Sequence, residues 1–226
     1  MTTTQPVCAQ TRDRHAVKTI IFDFDGTIAD SFAAIVQISN RLAAEFGYPE
    51  AGPEEVAQLK NLSSREIVRR SRVSPLKLPF LLRRLRGELR QEIGQLQPIA
   101  GMDTAIAHLY QQGYRLGIVT SNSKENVAAF LQAQALDHAF DFIGSGLALF
   151  GKGRILRRIL KRYRLHPKEV LYVGDETRDI EAAHHTGIRV VAVGWGFNST
   201  SALVAAQPDF LIQHPAELLN VVKEAT

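Results

Sequence analysis

The sequence predicts an α/β fold in which a parallel sheet is covered by helices and interrupted by an inserted helical domain. From residue 96 onwards, short runs of branched apolar residues alternate with helical patterns, which is typical of β-α units. Most of these runs are apolar on both faces, as expected for strands that helices cover on each side. Residues 30–96 contain helical patterns alone. This region is therefore predicted to be an insertion.

The individual elements follow this alternation along the chain. The predicted strands span 19–24, 115–120, 140–143, 170–174, 189–193 and 210–212. The predicted core helices span 103–112, 124–133, 154–163, 177–185 and 215–223. The predicted helices of the insertion span 31–46, 53–59, 63–70 and 75–92, with Gly- and Pro-rich turn signals between several of them. Right-handed crossovers then place the carboxyl ends of all strands at one edge, where ligands of open α/β sheets bind.

The chain divides into three predicted parts: a flexible tail at 1–16, a core made of 17–29 and 97–226, and a helical cap at 30–96. The tail lacks the apolar stretch of a secretory signal. Cys8 is the single cysteine, which suits a reducing compartment. No apolar run approaches the roughly 18 residues of a membrane span. We therefore predict a cytoplasmic protein with no membrane partner.

The charge balance is mildly basic. Lys and Arg number 27 against 23 Asp and Glu, which gives a net charge of +4. The basic residues concentrate at 65–90 and at 152–168. Apolar residues recur at helical spacing between the charges of the second group, so solvated helix faces are favoured over a nucleic-acid surface.

Acidic side chains follow two of the predicted strands. Asp23 and Asp25 come directly after the first strand, and two carboxylates this close repel each other unless a cation neutralises them. Asp175 and Glu176 follow the fourth strand, and Asp179 lies one turn into the next helix. Mg²⁺ prefers such carboxylate ligands together with substrate phosphate. A plain turn or a helix N-cap is the alternative interpretation of these acids.

Groups that can bind a phosphoryl oxygen follow at two other places. Thr120, Ser121 and Asn122 end the second strand with hydroxyl and amide groups, although simple helix capping explains such residues equally well. Lys152 stands at a glycine-flanked helix start, where its charge can neutralise both the acids and a transferred phosphoryl group.

In this order, DFDGT, TSN, Lys152 and GDETRD resemble the four motifs of the haloacid dehalogenase superfamily of phosphohydrolases. The chain is most similar to the branch that carries a small helical cap after the first motif and that holds phosphoglycolate phosphatase-like enzymes. The resemblance implies a Rossmann-like core with the cap lying over the sheet edge. It also implies a phosphoric monoester hydrolase.

The resemblance assigns a role to each motif residue. Asp23 would be the nucleophile that forms an aspartyl-phosphate, and Asp25 would protonate the leaving group and then activate water. Mg²⁺ would be held by the Asp23 carboxylate, the Asp25 backbone carbonyl and the Asp175 carboxylate. Thr120 and Lys152 match the positions that bind the phosphoryl oxygens, and Ser121 and Asn122 are added because they adjoin Thr120. Asp179 is expected to orient the water shell of the metal, and Glu176 either to reach the metal or to cap the helix.

A small phosphorylated metabolite is the expected substrate, because a small cap closes over a small site. The resemblance implies that this metabolite is similar to phosphoglycolate. Arg65, Arg69 or Arg70 of the cap could bind a carboxylate or a second phosphate of the substrate. Two alternatives stay open: a sugar phosphomutase that uses the same nucleophile, and a basic nucleic-acid-binding module with a vestigial site. The sequence does not indicate the oligomeric state or the individual substrate.

Overall fold

The computed structural model describes residues 16–146 and 151–225, and within these residues the chain forms one parallel sheet of six strands. The strands are β1 (Thr19–Phe22), β2 (Arg115–Thr120), β3 (Phe142–Ser145), β4 (Val170–Gly174), β5 (Arg189–Val193) and β6 (Phe210–Ile212). Their order across the sheet is β3-β2-β1-β4-β5-β6. The predicted fold class is confirmed, and β1 lies at the centre between β2 and β4.

Strands β1 and β4 are buried along their whole length because helices cover both faces of the sheet. Strand β1 ends at Phe22 rather than at residue 24, since the carbonyl of Phe24 already accepts the N–H groups of Ile28 and Ala29 in a turn. Strand β3 begins at Phe142 rather than at residue 140, because a 3-10 turn at Asp137–Ala139 precedes it.

The core helices lie close to their predicted positions. They are α5 (Met102–Gln111), α6 (Lys124–Ala133), α7 (Lys152–Tyr163), α8 (Thr177–His184), α9 (Thr200–Ala205) and α10 (Leu218–Glu224). Helix α9 is missing from the sequence-based prediction because six residues are too few to show a helical period. Helix α10 follows a 3-10 turn at Pro215–Glu217, where the prediction has a continuous helix.

Helix α7 explains the second group of basic residues. Leu156 and Ile159 are buried against the sheet, whereas Arg157 and Arg158 between them are exposed. The basic run is thus the solvent face of an amphipathic helix, as the spacing predicts.

Four cap helices lie between β1 and α5: α1 (Phe32–Phe46), α2 (Pro53–Leu59), α3 (Ser64–Ser71) and α4 (Leu78–Glu92). Helix α4 begins three residues after the predicted position, because the Lys77 N–H bonds the Ser74 carbonyl in a turn. Arg41 of α1 pairs with Glu88 and Glu92 of α4 at 3.2 and 2.9 Å, which joins the two longest cap helices.

The two ends of this insertion lie side by side. The N–H of Asp30 bonds the carbonyl of Gln97 at 2.9 Å, and Ala29 pairs with Pro98. This contact supports boundaries at 30 and 96, which we keep as a proposal. The predicted tail at 1–16 falls outside the described residues except for its last residue.

Candidate active site

The candidate site lies at the carboxyl edge of the sheet, where the central strands end. Asp23 follows β1, Thr120 ends β2 and Asp175 follows β4. Their exposed fractions are 2%, 0% and 0%. Neighbouring parallel strands end at the same edge, so three residues distant in sequence meet in one buried place.

Asp23, Asp175 and Asp179 form a buried group of acids whose carboxylate oxygens lie within 4.8 Å of one another. Burial raises the pKa of all three, to about 6 for Asp179, and neighbouring acids add to the effect. Oδ1 of Asp23 has no hydrogen-bond donor among the described residues. A buried, mutually repelling set with an open oxygen suits a hard divalent cation such as Mg²⁺.

Asp175 is held by the protein through both oxygens. The Thr27 hydroxyl donates to Oδ1 at 2.6 Å, and the Phe197 N–H donates to Oδ2 at 2.7 Å. Gly26 has a φ of 74°, and a Cβ on either Gly26 or Gly196 would collide with the same carboxylate. The sequence analysis missed the roles of Thr27 and Gly196, although Thr27 stands inside the DFDGT motif.

Lys152 is the cation of this site. It is the first residue of α7 and is 4% exposed. Its Nζ lies 2.7 Å from Oδ2 of Asp23, and it also pairs with Asp179. Burial disfavours its charge, but Asp179 and Asp23 outweigh burial and raise its pKa. Asp179 also accepts the Glu176 N–H at 3.1 Å, so this acid orients the lysine and the start of α8.

Asp25 lies outside the acid group. Its carboxylate accepts two hydrogen bonds from Nδ2 of Asn122, at 3.1 and 3.0 Å, and one from the Ser31 hydroxyl at 3.0 Å. Burial raises its pKa, although these hydrogen bonds oppose the change. A carboxyl group with a raised pKa beside a cavity can both donate and accept a proton near neutral pH.

The predicted phosphate-binding residues differ in their contacts. Oγ1 of Thr120 accepts the Asn122 N–H at 2.9 Å, and the Ser121 hydroxyl accepts a hydrogen bond from Arg178 at 3.4 Å. The side chain of Asn122 is used within the protein, because it donates to Asp25 and accepts from Asn126. Asn122 therefore positions Asp25, a contact that the sequence analysis did not anticipate.

Glu176 links the core to the cap. It pairs with Arg178 and accepts a hydrogen bond from the Ser64 hydroxyl of α3 at 2.7 Å. Burial opposes its ionisation, but Arg178 and Lys152 outweigh burial and lower its pKa. The sequence analysis missed Arg178, which stands immediately before Asp179 in the GDETRD motif.

A cavity of about 290 Å³ lies between the cap and the sheet edge. Asp25, Ser121 and Asn122 lie on its core side, and Arg86 of α4 lies on its cap side. Its walls are mainly apolar, with Ile35, Tyr48, Ile67, Val68, Leu81, Leu82 and Leu85 among the lining residues.

Two of the cap arginines predicted to contact substrate line other cavities. Arg65 lines a separate cavity of about 270 Å³, and Arg70 lines a third of about 160 Å³. The cavity of Arg65 is also lined by Lys152 and Arg178. None of the three predicted arginines lines the cavity beside Asp25, and among the described residues Arg86 of α4 is the cap arginine that does.

Comparison with known proteins agrees with this geometry. Residues 20–193 match the family model described as haloacid dehalogenase-like hydrolase. This chain belongs to that family. It is 43% identical over 208 residues to the phosphoglycolate phosphatase of Synechococcus elongatus, covering 92% of this chain and 98% of the relative. It is 28% identical over 222 residues to the enzyme of the same name from Pasteurella multocida, covering 91% and 98%.

Two solved structures with low sequence identity share the fold. A predicted phosphatase from Clostridium acetobutylicum has a TM-score of 0.81 at 18% identity, covering 93% of this chain and 100% of that one. A predicted phosphoglycolate phosphatase from Haemophilus somnus has a TM-score of 0.74 at 23% identity, covering 91% and 97%. The prediction of a phosphoric monoester hydrolase is confirmed. No helix in the described ranges is long and apolar enough to cross a membrane.

Proposed function

We propose that this hydrolase is a Mg²⁺-dependent phosphatase that cleaves phosphoglycolate through an aspartyl-phosphate on Asp23. The main support for this proposal is the state of the Asp23 carboxylate. Lys152 holds one of its oxygens, and the other has no hydrogen-bond donor among the described residues. The name of the Synechococcus relative, at 43% identity over nearly the whole chain, supports the substrate. The cytoplasm stays the predicted location.

The acids present fit a resident Mg²⁺. The carboxylates of Asp23 and Asp175 and the backbone carbonyl of Asp25 would hold it. When bound, the ion would offset the charge of the acids and of the phosphoryl oxygens. Lys152 supplies the fixed positive charge of the site, because its two ion pairs keep the amine in place.

In the first step, a carboxylate oxygen of Asp23 attacks phosphorus while the bond from phosphorus to the leaving oxygen breaks. Asp25 in its protonated form gives its proton to that oxygen, and its raised pKa favours this form. Thr120 can donate its own proton to a phosphoryl oxygen, since its Oγ1 already accepts the Asn122 N–H.

In the second step, the Asp25 carboxylate takes a proton from a water molecule whose oxygen attacks the phosphorus of the aspartyl-phosphate. The bond to Asp23 breaks, and inorganic phosphate leaves. Asn122 keeps the Asp25 carboxylate in place through both steps, because its amide donates to both oxygens. The cap helices shield the reaction from bulk water.

Release of inorganic phosphate tests the function. We expect phosphoglycolate to have the highest kcat/KM in a panel of phosphorylated metabolites, and chelation of Mg²⁺ to abolish turnover. Isomerisation of a sugar phosphate with almost no free phosphate would instead support a phosphomutase.

The Asp25→Asn variant tests the intermediate. With p-nitrophenyl phosphate the leaving group needs no proton, so the first step proceeds while the second lacks its base. We expect a burst of about one nitrophenolate per protein followed by slow turnover. Steady turnover at the wild-type rate would contradict the role of Asp25.

A further inference from the structure

The charges around the cavity leave one side chain without a carboxylate partner. Four charged side chains line it among the described residues: Asp25, Glu176, Arg178 and Arg86. Glu176 and Arg178 pair with each other, and Asp25 is hydrogen-bonded by Asn122 and Ser31. Arg86 forms no ion pair with a carboxylate in the described part of the chain, and its guanidinium donates to a backbone carbonyl instead.

Hydrogen bonds hold both the guanidinium and the main-chain carbonyl of Arg86. Its guanidinium donates from Nη2 to the carbonyl of Gly146, after β3, at 2.8 Å. Its own carbonyl accepts a hydrogen bond from Asn126 at 3.0 Å, and Asn126 also donates to Asn122, the residue that positions Asp25. A short chain of hydrogen bonds therefore connects the main chain of Arg86 to the carboxylate of Asp25.

Most N–H groups of the guanidinium have no acceptor among residues 16–146 and 151–225. An arginine has five N–H donors, and the Gly146 carbonyl takes one of them. Arg86 is half-buried, and burial lowers its pKa while the charge of Asp25 raises it. A partly desolvated cation gains most from a bound anion.

Two other donors on the cavity wall already bond protein acceptors. The Tyr48 hydroxyl donates to the Ser39 carbonyl at 2.6 Å, and Arg178 donates to Glu176 and Ser121. The remaining wall is largely apolar, and its neutral hydroxyls, such as that of Ser121, are weaker partners for a carboxylate than a charged guanidinium. An anionic group that enters beside Asp25 thus has Arg86 as its strongest available partner.

We propose that Arg86 determines substrate specificity by binding the carboxylate of a short phosphomonoester while the phosphoryl group lies at Asp23. The inference rests on the proposed function and adds the residue that selects, among phosphate esters, those whose alcohol part carries a carboxylate. Arg86 binds the substrate carboxylate and takes no part in the proton transfers.

The test compares two substrates of similar length, phosphoglycolate and 2-hydroxyethyl phosphate, which lacks the carboxylate. The variants are Arg86→Met, which keeps an unbranched apolar stem, and Arg86→Lys, which keeps the charge. We expect Arg86→Met to raise KM for phosphoglycolate about tenfold to a hundredfold, because a charge-assisted hydrogen bond is lost. KM for 2-hydroxyethyl phosphate should change less than about threefold, and Arg86→Lys should restore part of the preference.

Arg83→Met is the matched control, because Arg83 is exposed on the same helix. This variant should leave kcat and KM unchanged with both substrates. Equal losses on both substrates in Arg86→Met would show a structural role and overturn the inference, as would unchanged kinetics with phosphoglycolate.

The same assay separates this inference from the proposed function. A wild-type protein that hydrolyses neither ester with Mg²⁺ present would refute the phosphatase proposal and the inference with it. A wild-type protein that hydrolyses both esters equally well would leave the phosphatase standing and overturn the assignment of Arg86.

Discussion

The sheet edge and the cap differ in how they hold their polar side chains. At the sheet edge Asp23, Lys152 and Asp175 are at most 4% exposed and are held by short ion pairs and hydrogen bonds. Cap helices α2 and α3 contain no buried residue. The proposed reacting groups thus lie in the buried interior, whereas Arg86, the proposed specificity residue, is half-buried on α4.

The cap contacts the core in two ways: apolar residues of α1 and α4, such as Ile38 and Leu89, belong to the main hydrophobic cluster, and residues around the start of α3 make polar contacts. Nδ2 of Asn198 donates to the carbonyls of Lys60 and Leu62 at 3.0 and 2.9 Å, and Ser64 donates to Glu176. None of these three hydrogen bonds is donated to Asp23, Asp175 or Asp179. Changes at the sheet edge should therefore affect kcat, and changes in the cap should affect the choice of substrate.

The largest effect is expected for Asp23→Asn. The amide cannot form the phosphoryl-enzyme bond, so kcat should fall by at least about 10⁴-fold on every phosphomonoester. Phosphate release and thermal unfolding would be measured together, with the exposed Asp103→Asn on α5 as control. Substantial residual turnover in Asp23→Asn would remove the assigned nucleophile and break the comparison between the two regions.

The next effect concerns the charge balance of the interior. Lys152→Met removes the partner of Asp23 and Asp179, and should lower kcat about 10²-fold to 10³-fold. In metal-free buffer the free energy of unfolding should fall by about 3 kcal/mol, because buried acids lose their counter-charge. Lys161→Met, exposed on the same helix, should change it by less than about 0.5 kcal/mol. Equal stability of the two variants would contradict this account of the site.

A smaller effect is the dependence of protein stability on pH, which the acid group causes. Burial raises the pKa of Asp175, and that of Asp179 to about 6, above the usual 3.8. The unfolded chain therefore loses these protons at lower pH than the folded chain. The stability of the metal-free protein should fall as pH rises from about 4 through about 6.

Mg²⁺ needs ionised ligands, so its stabilising effect should be larger at pH 7.5 than at pH 5.5. We expect Mg²⁺ to raise Tm by several degrees at the higher pH and by less at the lower one. Thermal unfolding with Mg²⁺ or EDTA measures this difference, and Asp175→Asn should abolish it. A Mg²⁺ effect that does not depend on pH would argue against a cation among these acids.

The smallest effect is expected in the cap. Ser64→Ala loses the hydrogen bond to Glu176, and KM for phosphoglycolate should change by less than about fivefold with kcat unchanged. Ser74→Ala, exposed in the turn before α4, should change neither constant. A large loss of kcat in Ser64→Ala would show that the cap takes part in the chemistry, and the contrast between the regions would then be wrong.

Much of this architecture could be predicted from local patterns. Strands β2 and β4 have the predicted bounds because their runs are apolar on both faces and end at polar residues. Helix α9 was missed because it is too short for a period, and it depends on the Ser199 cap for its first turn. Arg178 and Asn126 were missed because their roles come from contacts with residues far away in sequence.

The sequence by itself determined the alternation of elements, the insertion after the first strand and the acids at two strand ends. Each follows from periodicity and turn chemistry over a few neighbouring residues. Only the tertiary structure decided that Lys152 lies between Asp23 and Asp179, that Asn122 holds Asp25 and that Arg86 is the cap arginine lining the cavity beside it. The reason is physical: a local pattern says which face of an element is buried, whereas the packing of distant elements decides which side chains meet there.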